Sequence, residues 1–175
     1  MNDFKTSNEI GSIYQDILSR ELLNYGIVIQ CHTSCFFQMN YGENPQGIEI
    51  KHDSKIESTN NIFFEFSAIN KKGDKFVNGG IEKQDNAWLY IIGNGKECWI
   101  FAKNQLQSLF RKVKQNPQTF REKGITLRTH IDKDTNKPTA NGMCVSLDYI
   151  ESNNLAINHI VFRKDYTQWI INTTL

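Results

Sequence analysis

The sequence predicts an α/β fold in which a helix precedes a meander of strands around a mostly antiparallel or mixed sheet, and a second helix follows the meander. Apolar residues recur at helical spacing near the N-terminus and again after residue 104. Between these two segments, short apolar runs alternate with turn-forming residues. At 175 residues and a net charge of +1, the chain is long enough for one domain with a real core and carries no global basic signal for nucleic acid.

Both helices have recognisable boundaries. Thr6 and Glu9 form a capping-box pattern for the first helix, and Gly26 suits its end. Its apolar positions are Ile10, Ile13, Tyr14, Ile17, Leu18, Leu22 and Tyr25. The second helix is predicted to begin near Asn104 and to end at Pro117. Its apolar stripe consists of Leu106, Leu109, Phe110 and Val113.

Short apolar runs predict the strands, which cover roughly 27–31, 35–39, 47–52, 61–68, 88–92 and 98–102. Gly93-Asn94-Gly95 joins the last two as a tight hairpin. Beyond the second helix, the polar, turn-rich segment 132–142 is interpreted as a loop. A short helix within 145–152 and a strand within 154–162 complete the predicted order, and no internal repeat is present.

Composition narrows the classes of protein. No window approaches the length of a membrane span, and the polar N-terminus lacks the apolar core of a signal peptide, so we expect a cytoplasmic protein with no membrane partner. Cys31 and Cys35 could form half of a zinc site, but Cys98 and Cys144 have no cysteine or histidine close by to supply the other half. Reduced core thiols are the favoured interpretation.

The segment 46–53 carries the strongest functional pattern. Side chains alternate faces along a strand, so Glu49, Lys51 and Asp53 share one face while Ile48 and Ile50 lie on the other. Two carboxylates flanking an ammonium suit a divalent metal ion beside a cation that handles a hydroxide or a phosphate. The pattern therefore indicates metal-dependent phosphodiester chemistry.

One more acid, Glu65, lies in the next strand within an apolar run. A hairpin with its turn near Glu57 would place Glu65 opposite Glu49, where two like charges are tolerated best with a cation between them. Mg²⁺ needs only a few carboxylates and a substrate phosphate. Lys51 would then lie beside the metal and orient or activate the attacking water.

A plainer interpretation stands beside this one. Glu-Ile-Lys is common on the solvated face of a half-buried strand and needs no function there. Four aromatic residues on the later hairpin are likewise interpreted as core and sheet packing rather than as base-stacking platforms: Trp88, Tyr90, Trp99 and Phe101.

Together these motifs resemble the PD-(D/E)xK nuclease superfamily, which has a restriction-endonuclease-like core. The resemblance extends over roughly 9–109. Its first motifs are Gly-Ile-Glu-Ile-Lys, followed by Asp53, and Asn-Ile-Phe-Phe-Glu, which ends at Glu65. The later motifs are Gly79-Gly80-Ile81 and Asp-Asn-Ala-Trp-Leu-Tyr, which ends at Tyr90. The family's acid and lysine fall on Glu49 and Lys51. The resemblance implies a single nuclease-like domain spanning 1–175, with a core of about 7–115 and a C-terminal extension of about 118–175.

The resemblance also implies a Mg²⁺- or Mn²⁺-dependent DNA endonuclease, with a homodimer as an option. Glu49, Lys51 and Glu65 would be catalytic. The metal ligands would come from Glu49, Glu65, Asp53 and Glu43, because Gln38 stands where the family has an upstream acid. The alternative is a catalytically degenerate protein of the same fold that binds DNA or a partner protein.

Overall fold

The chain forms two four-stranded sheets, each with helices close to it in sequence. A computed structural model describes residues 3–30, 44–70, 72–73, 75–132 and 135–172. The helices among these residues are α1 (Asp3–Leu23), α2 (Ile56–Thr59), α3 (Lys103–Gln115), α4 (Pro117–Glu122), α5 (Leu147–Ser152) and α6 (Thr167–Asn172). The strands are β1 (Ile48–His52), β2 (Asn61–Ile69), β3 (Phe76–Asn78), β4 (Leu89–Gly93), β5 (Glu97–Ala102), β6 (Ile125–Ile131), β7 (Pro138–Ser146) and β8 (Asn158–Val161). The mixed α/β class is confirmed.

The chain divides into two compact units. The first is drawn from Met1–Glu57, Asn86–Ala102 and Ala156–Leu175, and the second from Ser58–Asp85 and Lys103–Leu155. This division follows different boundaries from the predicted core and C-terminal extension, since the last strand and helix of the chain belong to the first unit.

The first unit contains the sheet β1-β4-β5-β8, in which β1 and β4 are parallel and the other pairs are antiparallel. Because side chains alternate between the two faces of a strand, one face of the sheet packs against α1. The buried residues of α1 in this core are Tyr14, Ile17, Leu18 and Leu22. The sheet's own contribution to this core is Ile48, Ile50, Ile91, Cys98, Ile100 and Ile160. The hairpin between β4 and β5 is confirmed.

Helix α1 ends as the sequence predicts. Gly26 has a φ of +75°, a left-handed conformation that glycine adopts without steric cost. The Ile27 amide donates to the Leu22 carbonyl and the Gly26 amide to the Leu23 carbonyl, which is the Schellman pattern. At the other end the prediction was wrong, because α1 already begins at Asp3, so Thr6 lies inside the helix.

The second unit contains the antiparallel sheet β3-β2-β7-β6. Ile62, Phe64, Met143 and Val145 are buried in it. The loop predicted at 132–142 was wrong in its second half, because β7 begins at Pro138, and proline is tolerated at the first residue of a strand. Polar cross-strand pairs replace the expected apolar alternation there: His130 with Thr139 at 2.8 Å and Thr129 with Asn141 at 2.7 Å.

Two further strand predictions have different outcomes. Residues 27–30 carry no strand, so the predicted strand at 27–31 is wrong over its described part. The predicted strand at 35–39 lies outside the described residues.

The predicted hairpin that placed Glu49 opposite Glu65 is also wrong. β1 pairs with β4, and Glu49 lies beside Tyr90, whereas β2 pairs with β3 and β7, and Glu65 lies beside Gly142. The physical reason lies in the connection, since α2 occupies it and buries Ile56. A segment that forms a helical turn with a core residue does not act as a short hairpin loop.

Candidate functional site

Strand β1 starts from a tightly bonded turn at 44–47. Asn44 is buried, with 1% of its surface exposed, and its amide group donates to the Ile48 carbonyl at 2.7 Å. Its side-chain oxygen accepts from the Gln46 and Ile48 amides, both at 3.0 Å. Asn-Pro-Gln-Gly matches the residue preferences of a type I turn, with proline second and glycine fourth, so a turn was readable from the sequence. This turn fixes where β1 begins and therefore which face its side chains occupy.

We expect Asn44→Ala to lower the free energy of unfolding by about 3 kcal/mol, because three side-chain hydrogen bonds of roughly 1 kcal/mol net each are lost. Chemical denaturation measures this loss. Asn44→Asp keeps the acceptor oxygen but replaces the donor by a charged oxygen that faces the Ile48 carbonyl in a buried position, so it should not restore wild-type stability. Equal stability of Asn44→Ala and wild type would contradict the role of this turn.

Glu49 and Lys51 come together on one face of β1. The Lys51 Nζ atom lies 2.5 Å from the Glu49 Oε1 atom. Glu49 is 6% exposed, whereas half of the Lys51 side chain, 50%, is exposed. A buried carboxylate is costly unless it is paired, and Lys51 supplies that pairing while its ammonium keeps contact with solvent. The arrangement can present a positive charge to an anionic ligand beside a buried carboxylate.

The other face of β1 is structural, as predicted. Ile48 and Ile50 are buried in the core of the first unit. The His52 ring lies 5.0 Å from the Tyr14 ring, centroid to centroid. Burial lowers the pKa of His52, and the nearby Asp53 carboxylate opposes that shift. His52 therefore packs against α1 and is not placed beside Lys51.

Asp53 directly follows β1, in the connection to α2. Its amide donates to the Gly93 carbonyl at 2.8 Å, and its Oδ1 atom accepts from the Lys55 amide at 2.9 Å. Aspartate commonly bonds the backbone two residues ahead in this way at turns and helix starts. The contacts explain Asp53 as a turn residue, and its metal-ligand role stays a prediction.

Glu65 lies on β2, in the second unit, next to two glycines. A side chain at Gly79 would meet the Glu65 carboxylate oxygen at 2.7 Å, and one at Gly80 would collide with the Glu65 backbone carbonyl. Gly80 also has a φ of +46°. The glycine pair that resembles the family pattern is therefore required sterically by the approach of this turn to Glu65, and the metal role of Glu65 stays a prediction.

Within the described ranges, no three histidine, cysteine, aspartate or glutamate side chains are grouped so that they could hold a metal ion. Glu43, the predicted ligand from the loop before β1, lies outside the described residues, as do Gln38, Cys31 and Cys35. The geometry thus brings together Glu49 and Lys51.

Two features were missed from the sequence. Asp85 accepts a hydrogen bond from the buried Lys103 at 2.7 Å, and the Lys83 ammonium lies 3.4 Å from its carboxylate. No local pattern signals that pairing, because it joins residues far apart in sequence. Trp88 is 59% exposed and was wrongly interpreted as packing. No sequence signal was available for this exposure, because the contact of Trp88 with the turn at 44–47 joins residues far apart in the chain.

Comparison of the chain with protein-family models, with curated protein sequences and with solved structures finds no match. None of the helices in the described residues is both long and apolar enough to cross a membrane.

Proposed function

We propose that this chain is a Mg²⁺- or Mn²⁺-dependent DNA endonuclease whose site is built around Glu49 and Lys51. One observation carries the proposal: a buried carboxylate and a half-exposed ammonium are in direct contact on one face of β1. The same acid and lysine are the residues that resemble the PD-(D/E)xK pattern, and the resemblance extends to a helix before the strand. A restriction-endonuclease-like core is part of the proposal.

The two side chains have separate tasks in this mechanism. Lys51 reaches solvent, so its ammonium can contact a nonbridging oxygen of the scissile phosphate and stabilise the charge that develops there. Glu49 holds the Lys51 ammonium in place, because the buried carboxylate accepts it at 2.5 Å. Backbone pairing of β1 to β4 fixes both at the level of Tyr90 and Ile92.

The fit of a divalent ion to these residues is partial. Glu49 offers the carboxylate oxygen that Mg²⁺ prefers. When bound, Mg²⁺ would polarise the phosphate and lower the pKa of a coordinated water. The described residues account for the acid and the lysine of the site but not for a complete ligand set.

A second candidate function is binding of DNA or a partner protein without cleavage. It is favoured by the Glu49–Lys51 contact itself, because the ammonium compensates the buried carboxylate without any metal ion. An acid that depends on a metal for compensation would be less stable in the metal-free protein.

Cleavage of supercoiled plasmid tests the proposal. Wild type should nick the plasmid with Mg²⁺ or Mn²⁺ and lose this activity in EDTA, and Glu49→Gln should be inactive. The matched control is Glu57→Gln, which removes an exposed carboxylate of the same unit that pairs with Lys96. This control should cut like wild type. Absence of cutting by wild type with both metals would contradict the nuclease, and DNA binding under those conditions would support the second candidate.

A further inference from the structure

We propose that Trp88 is a stacking platform for an unpaired base, so that the substrate of this site is single-stranded or locally unpaired nucleic acid. This inference deepens the proposed function and rests on it. It begins from an exposed aromatic side chain that the fold holds in one orientation.

Trp88 is anchored as well as exposed. Its indole Nε1 atom donates to the Gln46 carbonyl at 2.7 Å, while 59% of the residue is open to solvent. Gln46 is itself tied to the chain before the turn, because its side chain bonds the Val28 carbonyl at 2.8 Å and the Gln30 amide at 2.9 Å. An aromatic ring held in this way loses little side-chain freedom when a ligand stacks on it.

The Trp88 ring packs against Gly47, which has no side chain to block it. A Cβ atom at this position would lie 2.7 Å from Cδ1 and 3.2 Å from Nε1 of Trp88, so the indole packs where a side chain would otherwise be. Gly47 also has a φ of +69°, and its carbonyl accepts from the Trp88 amide at 2.8 Å. The ring is therefore built against the backbone of the turn that starts β1.

The platform lies at the start of the strand that carries the proposed site. Ile48 pairs with Leu89 in the parallel ladder, so Trp88 comes one residue before the paired part of β4, and its indole packs against Gly47, one residue before β1. From Gly47 to Lys51 is about 13 Å along the strand. A short single strand can span that interval, with one base on the indole and a phosphate at the Lys51 ammonium.

Unpaired bases fit this geometry better than duplex. A base inside a duplex is covered on both faces by its neighbours, whereas an unstacked base offers its π-face to an aromatic side chain. The chain carries a net charge of only +1, which limits the affinity that phosphate contacts alone can supply. Stacking contributes affinity that does not depend on net charge.

The test is binding of a fluorescently labelled oligo-dT and of a duplex of equal length, by anisotropy in EDTA so that no strand is cut. Wild type should prefer oligo-dT, and Trp88→Ala should weaken oligo-dT binding by about tenfold. Trp88→Phe keeps an aromatic face and should bind more tightly than Trp88→Leu. The matched control is Trp169→Ala, which removes the other exposed tryptophan of the same unit and should bind like wild type. Oligo-dT should also quench indole emission in wild type but much less in Trp88→Phe.

Unaltered oligo-dT binding by folded Trp88→Ala would overturn the inference, as would equal losses in Trp88→Phe and Trp88→Leu. If wild type cuts duplex plasmid but binds no oligo-dT, the stacking role of Trp88 is contradicted and the proposed nuclease activity is retained. If wild type binds oligo-dT through Trp88 but never cuts DNA, the stacking role of Trp88 is supported and the proposed nuclease activity is contradicted. A partner protein that competes at Trp88 while oligo-dT does not bind would overturn the inference in favour of a protein-docking surface.

Discussion

Lys51→Ala is expected to lower the rate of plasmid cleavage by about 10²–10³-fold, the loss seen when one preorganised charge-stabilising donor is removed from an active site. The ammonium acts where negative charge develops on the transferring phosphate, so the change should appear in the cleavage rate. Metal affinity should persist or rise, because a positive neighbour of Glu49 has been removed.

The same variant should remain folded. Lys51 is half exposed, so trimming it leaves no core cavity. It does leave the Glu49 carboxylate buried with one partner fewer. Because Lys51 is half exposed and solvent screens its charge, we expect the free energy of unfolding to fall by only about 1 kcal/mol. Circular dichroism and denaturant unfolding measure this cost.

Two variants make the Lys51 result specific. Lys51→Arg keeps the charge but changes its shape, so it should retain only part of the activity. Lys55→Ala removes a positive charge from the turn just beyond β1 and should cut like wild type. Loss of activity in Lys55→Ala equal to that in Lys51→Ala would indicate a general charge effect rather than a role for Lys51.

Mg²⁺ or Mn²⁺ is expected to stabilise the folded protein by about 2.7 kcal/mol at a metal concentration of one hundred times Kd, because an ion that binds only the folded state shifts the unfolding equilibrium. For a chain of this size that corresponds to a rise in Tm of roughly 5–10 °C. Thermal unfolding in EDTA and in a metal titration measures it.

Glu49→Gln should abolish this stabilisation, since the amide removes the charge that a divalent ion requires, whereas Glu57→Gln should keep it. An unchanged melting temperature of wild type across millimolar metal would contradict the metal site and favour the binding-only candidate. A full stabilisation that survives in Glu49→Gln would place the ion elsewhere.

Local patterns in the sequence were sufficient for several elements. Helix α3 follows from the 3.6-residue spacing of Leu106, Leu109, Phe110 and Val113, and β2 from an apolar run between turn residues. The turn at Gly93-Asn94-Gly95 located the β4–β5 hairpin. These features depend on residues close together in the chain, so one sequence contains the information they need.

The pairing of Glu49 with Lys51 belongs to the same class. Two residues separated by one position share a face of any strand, wherever that strand lies in the sheet. The sequence therefore determined that a carboxylate and an ammonium would stand side by side, and the contact at 2.5 Å agrees with that. It did not determine how deeply each would be buried, because burial depends on what covers the strand.

Only the tertiary structure decided the strand partners. β1 lies beside β4 rather than β2, since Ile56 anchors a helical turn in the connection and the parallel partner comes from far along the chain. The same non-local choice brought Trp88 over Gly47 and left the indole open to solvent. Strand pairing and side-chain exposure depend on which surfaces the whole chain buries together. The free energy of that burial cannot be obtained from the spacing of neighbouring residues.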